Sequence, residues 1–308
     1  MKKVLIILLC LLLLTGCAPA DPAGEGYTFT DDTGTVVAVP EKPETVAVLL
    51  SSLADLWVTA GGAVDITVAE TVERGFATDS VILVDAGAGK TIDLEGLIGA
   101  KPDFVLYSSD LAGQLECADT LRAAGIPAAG FAVETFEDYL RVLKICSDIL
   151  GTPDRYAQYG TALKAEIDGM IAKAKAVEDQ PDILFVRAGS SAKVTKAKTA
   201  ENHFVCGMLK DLGTFNIAEK APVLLEGLST EEILLSDPDF ILFTTMGDEK
   251  AGQAYMESLI SDPVWQTLTA VKEGRVHQLP KALFQYKPNA RWGEAYAYLI
   301  ELLYGDIL

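Results

Sequence analysis

One pattern occurs twice in this chain and limits what it can fold into. Leu94 to Leu106 and Thr230 to Leu242 each read as a short acidic helix, a Pro-Asp corner and an apolar strand. Pro102-Asp103 precedes Phe104-Val105-Leu106 in the first copy, and Pro238-Asp239 precedes Phe240-Ile241-Leu242 in the second. An unbroken apolar run bounded by turn residues suits a strand covered on both faces. Two such units imply two lobes of like construction. The stretch between them has another period: Tyr156, Tyr159, Leu163, Ile167, Met170 and Ile171 recur at helical spacing after Thr152-Pro153, a helix entry with proline at its first position. From Pro153 to about Val177 this makes a rod of roughly 37 Å.

The flanking sequence alternates strands with helices. Tyr27 to Pro40 reads as a hairpin about Asp31-Asp32-Thr33-Gly34. Strands follow at Thr45–Leu49, Ile66–Ala69, Phe104–Tyr107 and Pro127–Phe131, with helices at Leu53–Ala60, Asp93–Ile98, Gly113–Ala124 and Thr135–Leu150. Past Pro181 the alternation resumes with strands at Ile183–Val186, Phe240–Phe243 and Val276–Leu279, and Trp292–Tyr304 closes the chain as a helix. Such alternation predicts an α/β protein whose mostly parallel sheets are covered on both faces. The expected boundaries are 27–152 for the first lobe, 153–178 for the connecting helix and 179–308 for the second.

The N-terminus points outside the cytoplasm. Lys2-Lys3 precede an apolar run from Val4 to Leu14, too short to span a bilayer, which takes about 20 residues. Leu14-Thr15-Gly16-Cys17 resembles a lipobox, so residues 1–16 are expected to leave as a signal peptide and Cys17 to carry lipid. Residues 17–26 then form a polar tether to the membrane. The other reading is an ordinary signal peptide cut near Ala18-Pro19-Ala20.

Charge removes one class of partner. The net charge of −19 becomes −21 once Lys2 and Lys3 are lost, which argues against nucleic acid. Cys117, Cys146 and Cys206 are left in the mature chain, and a Cys117–Cys146 bridge stays open. The two histidines, His203 and His277, lie far apart with no Cys-x-x-Cys tract, so bare metal capture is not expected. Gly87-Ala88-Gly89-Lys90-Thr91 imitates a phosphate loop, but Val84 stands where its first glycine should be. An extracytoplasmic hydrolase is the alternative of another class, although the chain has no Gly-x-Ser-x-Gly elbow and no His-Glu-x-x-His.

Several segments in this order resemble the class III substrate-binding proteins of ABC importers, which serve ferric siderophores, haem and cobalamin. They are Ser51 to Gly62, Leu94 to Leu106, Leu121 to Pro127, Leu228 to Leu242 and, most specific, Pro263-Val264-Trp265 through Val276. The resemblance implies two Rossmann-like lobes with central parallel sheets, joined by one long α-helix. It implies permease and ATPase partners, and one acid at each lobe tip to dock on the permease: Glu95 and Glu231, with Glu232 competing. No cofactor is implied. The cargo would be a ferric siderophore, with cobalamin or haem as alternatives; a sensor would look the same in sequence.

Ligands of such proteins lie in the crevice at the strand ends. The loops placed there are Leu50–Ser52, Glu70–Arg74 and Tyr107–Ser109 from the first lobe. Arg187–Ser191, Thr244–Met246 and Phe284–Trp292 come from the second. Aromatic planes and guanidinium donors suit an oxygen-rich chelate, which makes Arg187, Tyr286, Arg291 and Trp292 the first candidates, then Tyr107, Arg74 and Trp57. Trp57 and Trp292 each also have a packing role open to them. For haem, His203, Tyr107 or Tyr286 could reach the iron.

Overall fold

A computed structural model describes residues 26–40, 42–85 and 91–305. Cys17, the leader, the tether up to residue 25 and the Gly87–Lys90 part of the false phosphate loop lie outside the described residues. A hairpin comes first, with β1 (Tyr27–Thr30) antiparallel to β2 (Val36–Val39). The first lobe is then built on five parallel strands: β3 (Val46–Val48), β4 (Ile66–Thr67), β5 (Ile82–Leu83), β6 (Phe104–Ser108) and β7 (Ala128–Phe131). Their spatial order is β5-β4-β3-β6-β7.

The second sheet uses β8 (Asp182–Ala188), β9 (Lys196–Ala197), β10 (Phe215–Asn216), β11 (Phe240–Thr245) and β12 (Val276–Gln278). Its order is β10-β8-β11-β12, all parallel, with β9 antiparallel along the end of β8. The repeated sequence unit explains the likeness of the lobes. In each, an acidic helix (Leu94–Gly99 or Thr230–Ser236) delivers the chain to a central strand, β6 or β11, buried on both faces. Asp103 and Asp239, the corner aspartates, accept backbone N–H groups from Thr45 (2.9 Å) and Asp182 (2.8 Å), fixing where the neighbouring strands begin.

Between the sheets runs a helical segment from Pro153 to Lys175. It is not uniform: Ala157–Ala162 winds as a π-helix between two α-helical stretches. At Gly160 a Cβ would stand 2.8 Å from the Tyr156 ring, so glycine there admits the ring against the backbone. The segment packs on the closing helix Trp292–Tyr304, where Gly293 faces Leu163.

Three apolar clusters hold the molecule. One covers the outer face of the first sheet and another that of the second. The largest runs from Trp57 and Phe104 through Phe136 and Trp292 to Phe185 and Phe204, so it belongs to both lobes. A core shared in this way couples the lobes through close-packed contact. Cys117, Cys146 and Cys206 are buried and free, so no Cys117–Cys146 bridge forms. No helix among the described residues is long and apolar enough to cross a membrane.

Candidate ligand cleft

Parallel strands end on one side of their sheet, so the loops that follow them converge. A cavity of about 270 Å³ opens there between the lobes. The first lobe brings Ser51, Glu70, Ser108 and Val133, which follow or end β3, β4, β6 and β7, and the second brings Tyr286 and Lys287. This is the crevice outside the carboxyl ends of the strands.

Beside it Arg74 meets Tyr286, a lining residue. The residues expected as a loop, Glu70–Arg74, instead form a helical turn, Ala69–Glu73, with Arg74 as its C-cap. That turn aims the Arg74 guanidinium at Ser51 Oγ (2.8 Å) and Ser52 Oγ (3.3 Å). Its carbon lies 4.1 Å from the centroid of the Tyr286 ring, a cation–π contact joining the lobes. Ser51 in turn donates to Glu70. Burial pushes the guanidinium pKa down, while the carboxylates of Asp55 and Glu70 pull it back up. The arrangement fixes Ser51, Ser52 and Tyr286, all of which line the cavity.

Asn289 pins the floor. It adopts a left-handed φ of 51° and donates from Nδ2 to Ser52 O (2.8 Å) and Asp55 Oδ2 (2.9 Å). Higher up, Lys287 Nζ lies 2.7 Å from Glu134 Oε2.

Glu134 also lines a second inter-lobe cavity of about 360 Å³, bounded by Phe136, His203, Phe204, Trp292 and Tyr296. Trp292 is 1% exposed and meets Phe136 and Phe204 edge-on, with its indole N–H unpartnered. His203 caps the Phe204–Asp211 helix, its Nδ1 accepting from Val205 N at 3.3 Å. Burial first, then the charges of Lys287, Arg187 and Lys198, depress its pKa to about 3. With Nδ1 accepting, the ring proton sits on Nε2, so His203 has no free lone pair for haem iron while this cap stands.

The sequence-derived candidates therefore separate. Arg74 and Tyr286 come together at the first cavity, which Tyr286 lines and Arg74 backs through Ser51 and Ser52. Trp57 is fully buried, donating to Ala63 O at 2.8 Å and packing on Phe104, which corrects its expected ligand role. Tyr107 needs the same correction: its side chain faces the outer core of the first lobe and its hydroxyl accepts from Arg122 at 2.9 Å. Both residues have the apolar surroundings that reward burial of an aromatic with a satisfied polar tip. Arg291 is held by Glu294 through two 2.7 Å contacts on the exposed side of the closing helix. Arg187 is the penultimate residue of β8, half-buried near His203, and Thr244 and Thr245 are buried residues of β11 and not loop. Ser51, Lys287 and Asn289 fell within expected cleft loops without being singled out, and Glu134 lay in none of those loops.

A family model described as "Periplasmic binding protein" matches residues 46–283. The chain belongs to that family. It is a substrate-binding protein, not a hydrolase. No curated protein matches it. Solved structures share its two-lobed fold. The periplasmic heme-binding protein RhuT from Roseiflexus sp. RS-1 is 21% identical with a TM-score of 0.67, covering 85% of this chain and 98% of its own. Staphylococcus aureus SirA complexed with staphyloferrin B is 18% identical with a TM-score of 0.70, covering 90% and 98%. An ABC transporter substrate-binding protein from Listeria monocytogenes EGD-e is 19% identical with a TM-score of 0.68, covering 86% and 100%. Family membership places the chain outside the cytoplasm.

Within this periplasmic binding fold, Glu95 and Glu231 occupy matching places. Each is exposed in the first turn of the acidic helix of its lobe, behind an N-cap, Asp93 or Ser229. Glu232 is less exposed. Trp265, in the segment most specific to the family, is 2% exposed and belongs to the core of the second lobe.

Proposed function

We propose that the chain captures a metal chelate, a ferric siderophore before haem or cobalamin, in the inter-lobe cleft and delivers it to an ABC permease. The Arg74–Tyr286 contact at 4.1 Å carries this reading. It fixes the Tyr286 ring and the Ser51 and Ser52 side chains in the cavity wall at the strand ends, where an oxygen-rich chelate would meet aromatic and polar groups together. SirA, of the same fold, is a complex with staphyloferrin B, and RhuT is a heme-binding protein. For haem, Tyr286 is the cleft residue left to reach iron, since His203 is engaged as a cap and Tyr107 is buried. Glu95 and Glu231 are the proposed docking acids. Leu235, one helical turn beyond Glu231 and 80% exposed, adds an apolar contact beside the second. Lipid on Cys17 tethers the protein to the membrane in this reading.

Equilibrium dialysis against ferric siderophores, haemin and cyanocobalamin tests the proposal. Saturable retention of one class, weakened by Tyr286→Ala, is expected. Failure of all three with the folded chain would contradict it.

A further inference from the structure

The second inter-lobe cavity, of about 360 Å³, is larger than the first and differs from it in chemistry. Phe136 from the first lobe, Phe204 from the second, and Trp292 and Tyr296 from the closing helix line it. So do four carboxylates, Glu134, Glu137, Glu201 and Asp211, against one lysine, Lys210. The rings are buried and the carboxylates exposed, so acids rim an aromatic floor. His203, the other titratable lining residue, is neutral at pH 7 because burial holds its pKa near 3.

Exposed carboxylates are common in a chain of net charge −19, and acids alone would mark nothing. Three further observations set this cavity apart. At its edge the chain already seats an ammonium: Lys287 Nζ stands 4.7 Å from the centroid of the Phe204 ring and 2.7 Å from Glu134 Oε2. A carboxylate and an aromatic face both stabilise a cation placed between them. Trp292, 1% exposed, lines the cavity with an indole N–H that has no partner. A buried donor of that kind asks for an acceptor. The carboxylates, lastly, stand too far apart to close on a bare metal ion. Among the described residues no three His, Cys, Asp or Glu side chains are grouped to hold one. A larger, organic cation spans what a metal ion cannot.

We propose that the second cavity is a binding site for an alkylammonium group that carries an oxygen acceptor nearby, supplied either by a cationic arm of the cargo or by a free amine. The ammonium takes the rim carboxylates, of which only Glu134 has an ion-pair partner among the described residues, and its alkyl chain lies on the aromatic floor. The oxygen answers the Trp292 N–H. Glu134 lines both cavities, so an arm can enter the second while the metal core stays in the first. That the ammonium belongs to the cargo rests on the chelate-binding reading above; the site itself does not.

Calorimetric titration of the full chain in detergent tests it with a matched pair of chelates. Ferrioxamine B ends in an ammonium, and N-acetylferrioxamine B has the same iron core with a neutral arm. 5-Aminopentanol serves as the free amine. The wild type is expected to bind ferrioxamine B about tenfold or more tighter than the acetylated form, through the charge-assisted and cation–π contacts of the arm. The Glu137→Gln/Glu201→Gln variant should erase that preference while keeping the wild-type affinity for the acetylated chelate. Both side chains are exposed, so its melting temperature should hold. Binding of 5-aminopentanol alone, lost in the variant, would support the site and assign it to a free amine. Equal affinity for the two chelates with no binding of 5-aminopentanol would overturn the site and leave the chelate-binding reading standing. So would a preference, or 5-aminopentanol binding, that survives in the variant. If none of the three probes binds, the site falls, and the chelate-binding reading is decided separately by the dialysis series above.

Discussion

Lys287 Nζ stands 2.7 Å from Glu134 Oε2 and so ties the second lobe to the first. Among the described residues it is the only ion pair that joins the two. Glu134 lines both inter-lobe cavities, which places the pair at their boundary. The Glu134 side chain is 57% exposed, so the pair contributes little stability, below about 1 kcal/mol. Its effect should show in binding. Glu134→Gln frees Lys287 for an anionic cargo and should tighten a ferric catecholate by about three- to tenfold, while Lys287→Gln should loosen it. Calorimetry reads both, and equal affinities would show that the pair does not contend with cargo.

Asn289 should matter to the cleft floor. Asn289→Ala removes donors from Ser52 O and Asp55 Oδ2, leaving a carboxyl whose pKa burial already raises, against the pull of Asn289, Arg74 and Arg291. A loss of about 1–3 kcal/mol is expected in urea unfolding. Asn289→Asp sets a second carboxyl against Asp55, so its deficit should be larger at pH 7 and shrink as the pH is lowered. A deficit indifferent to pH would place the cost elsewhere.

His203 links stability to acidity. Folded, it binds its proton only near pH 3; unfolded, near the ordinary 6.5. The unfolded chain therefore takes the proton first as the pH falls. The His203 contribution is whole above pH 6.5 and drains away toward pH 3, by on the order of 3–5 kcal/mol at completion. His203→Asn keeps a side chain able to accept from Val205 N and removes the titration. Its unfolding free energy should start somewhat lower at pH 7, for want of the ring contact with Phe185 and the stack on Phe204, and fall less steeply with acid. Parallel slopes would exclude His203 as the source.

Trp57 and Tyr286 should behave as opposites. Trp57→Phe loses the 2.8 Å bond to Ala63 O and should cost about 1–3 kcal/mol while leaving cargo affinity unchanged. Tyr286→Ala should spare stability and weaken cargo binding. Trp57 also shows where sequence fell short. The run Leu53 to Ala60 predicts a helix, and Ser51–Thr59 is one, but an indole in a half-buried helix can face cleft or core with the same spacing. Only the tertiary arrangement decides, and it places Gly62 against the Trp57 ring.

The repeated Pro-Asp corner made the two sheets legible, because buried parallel strands need unbroken apolar runs and the aspartates cap neighbouring strands. Short elements escaped for the converse reason. Ile82–Leu83 and Lys196–Ala197 are two-residue strands with no period to read. The cleft segments were legible from strand ends, whereas the partners were not. Glu134 and Lys287 lie 153 residues apart and meet only through the packing of the lobes.

Hydrogen exchange on the chain with and without saturating ferric chelate tests the central claim most directly. Slowed exchange is expected at Leu50–Leu53, Phe131–Glu134 and Gln285–Asn289, the backbone around the first cavity and the Glu134–Lys287 pair. Protection confined to other surfaces, with these three segments unchanged under saturation, would contradict the placement of the cargo between the lobes.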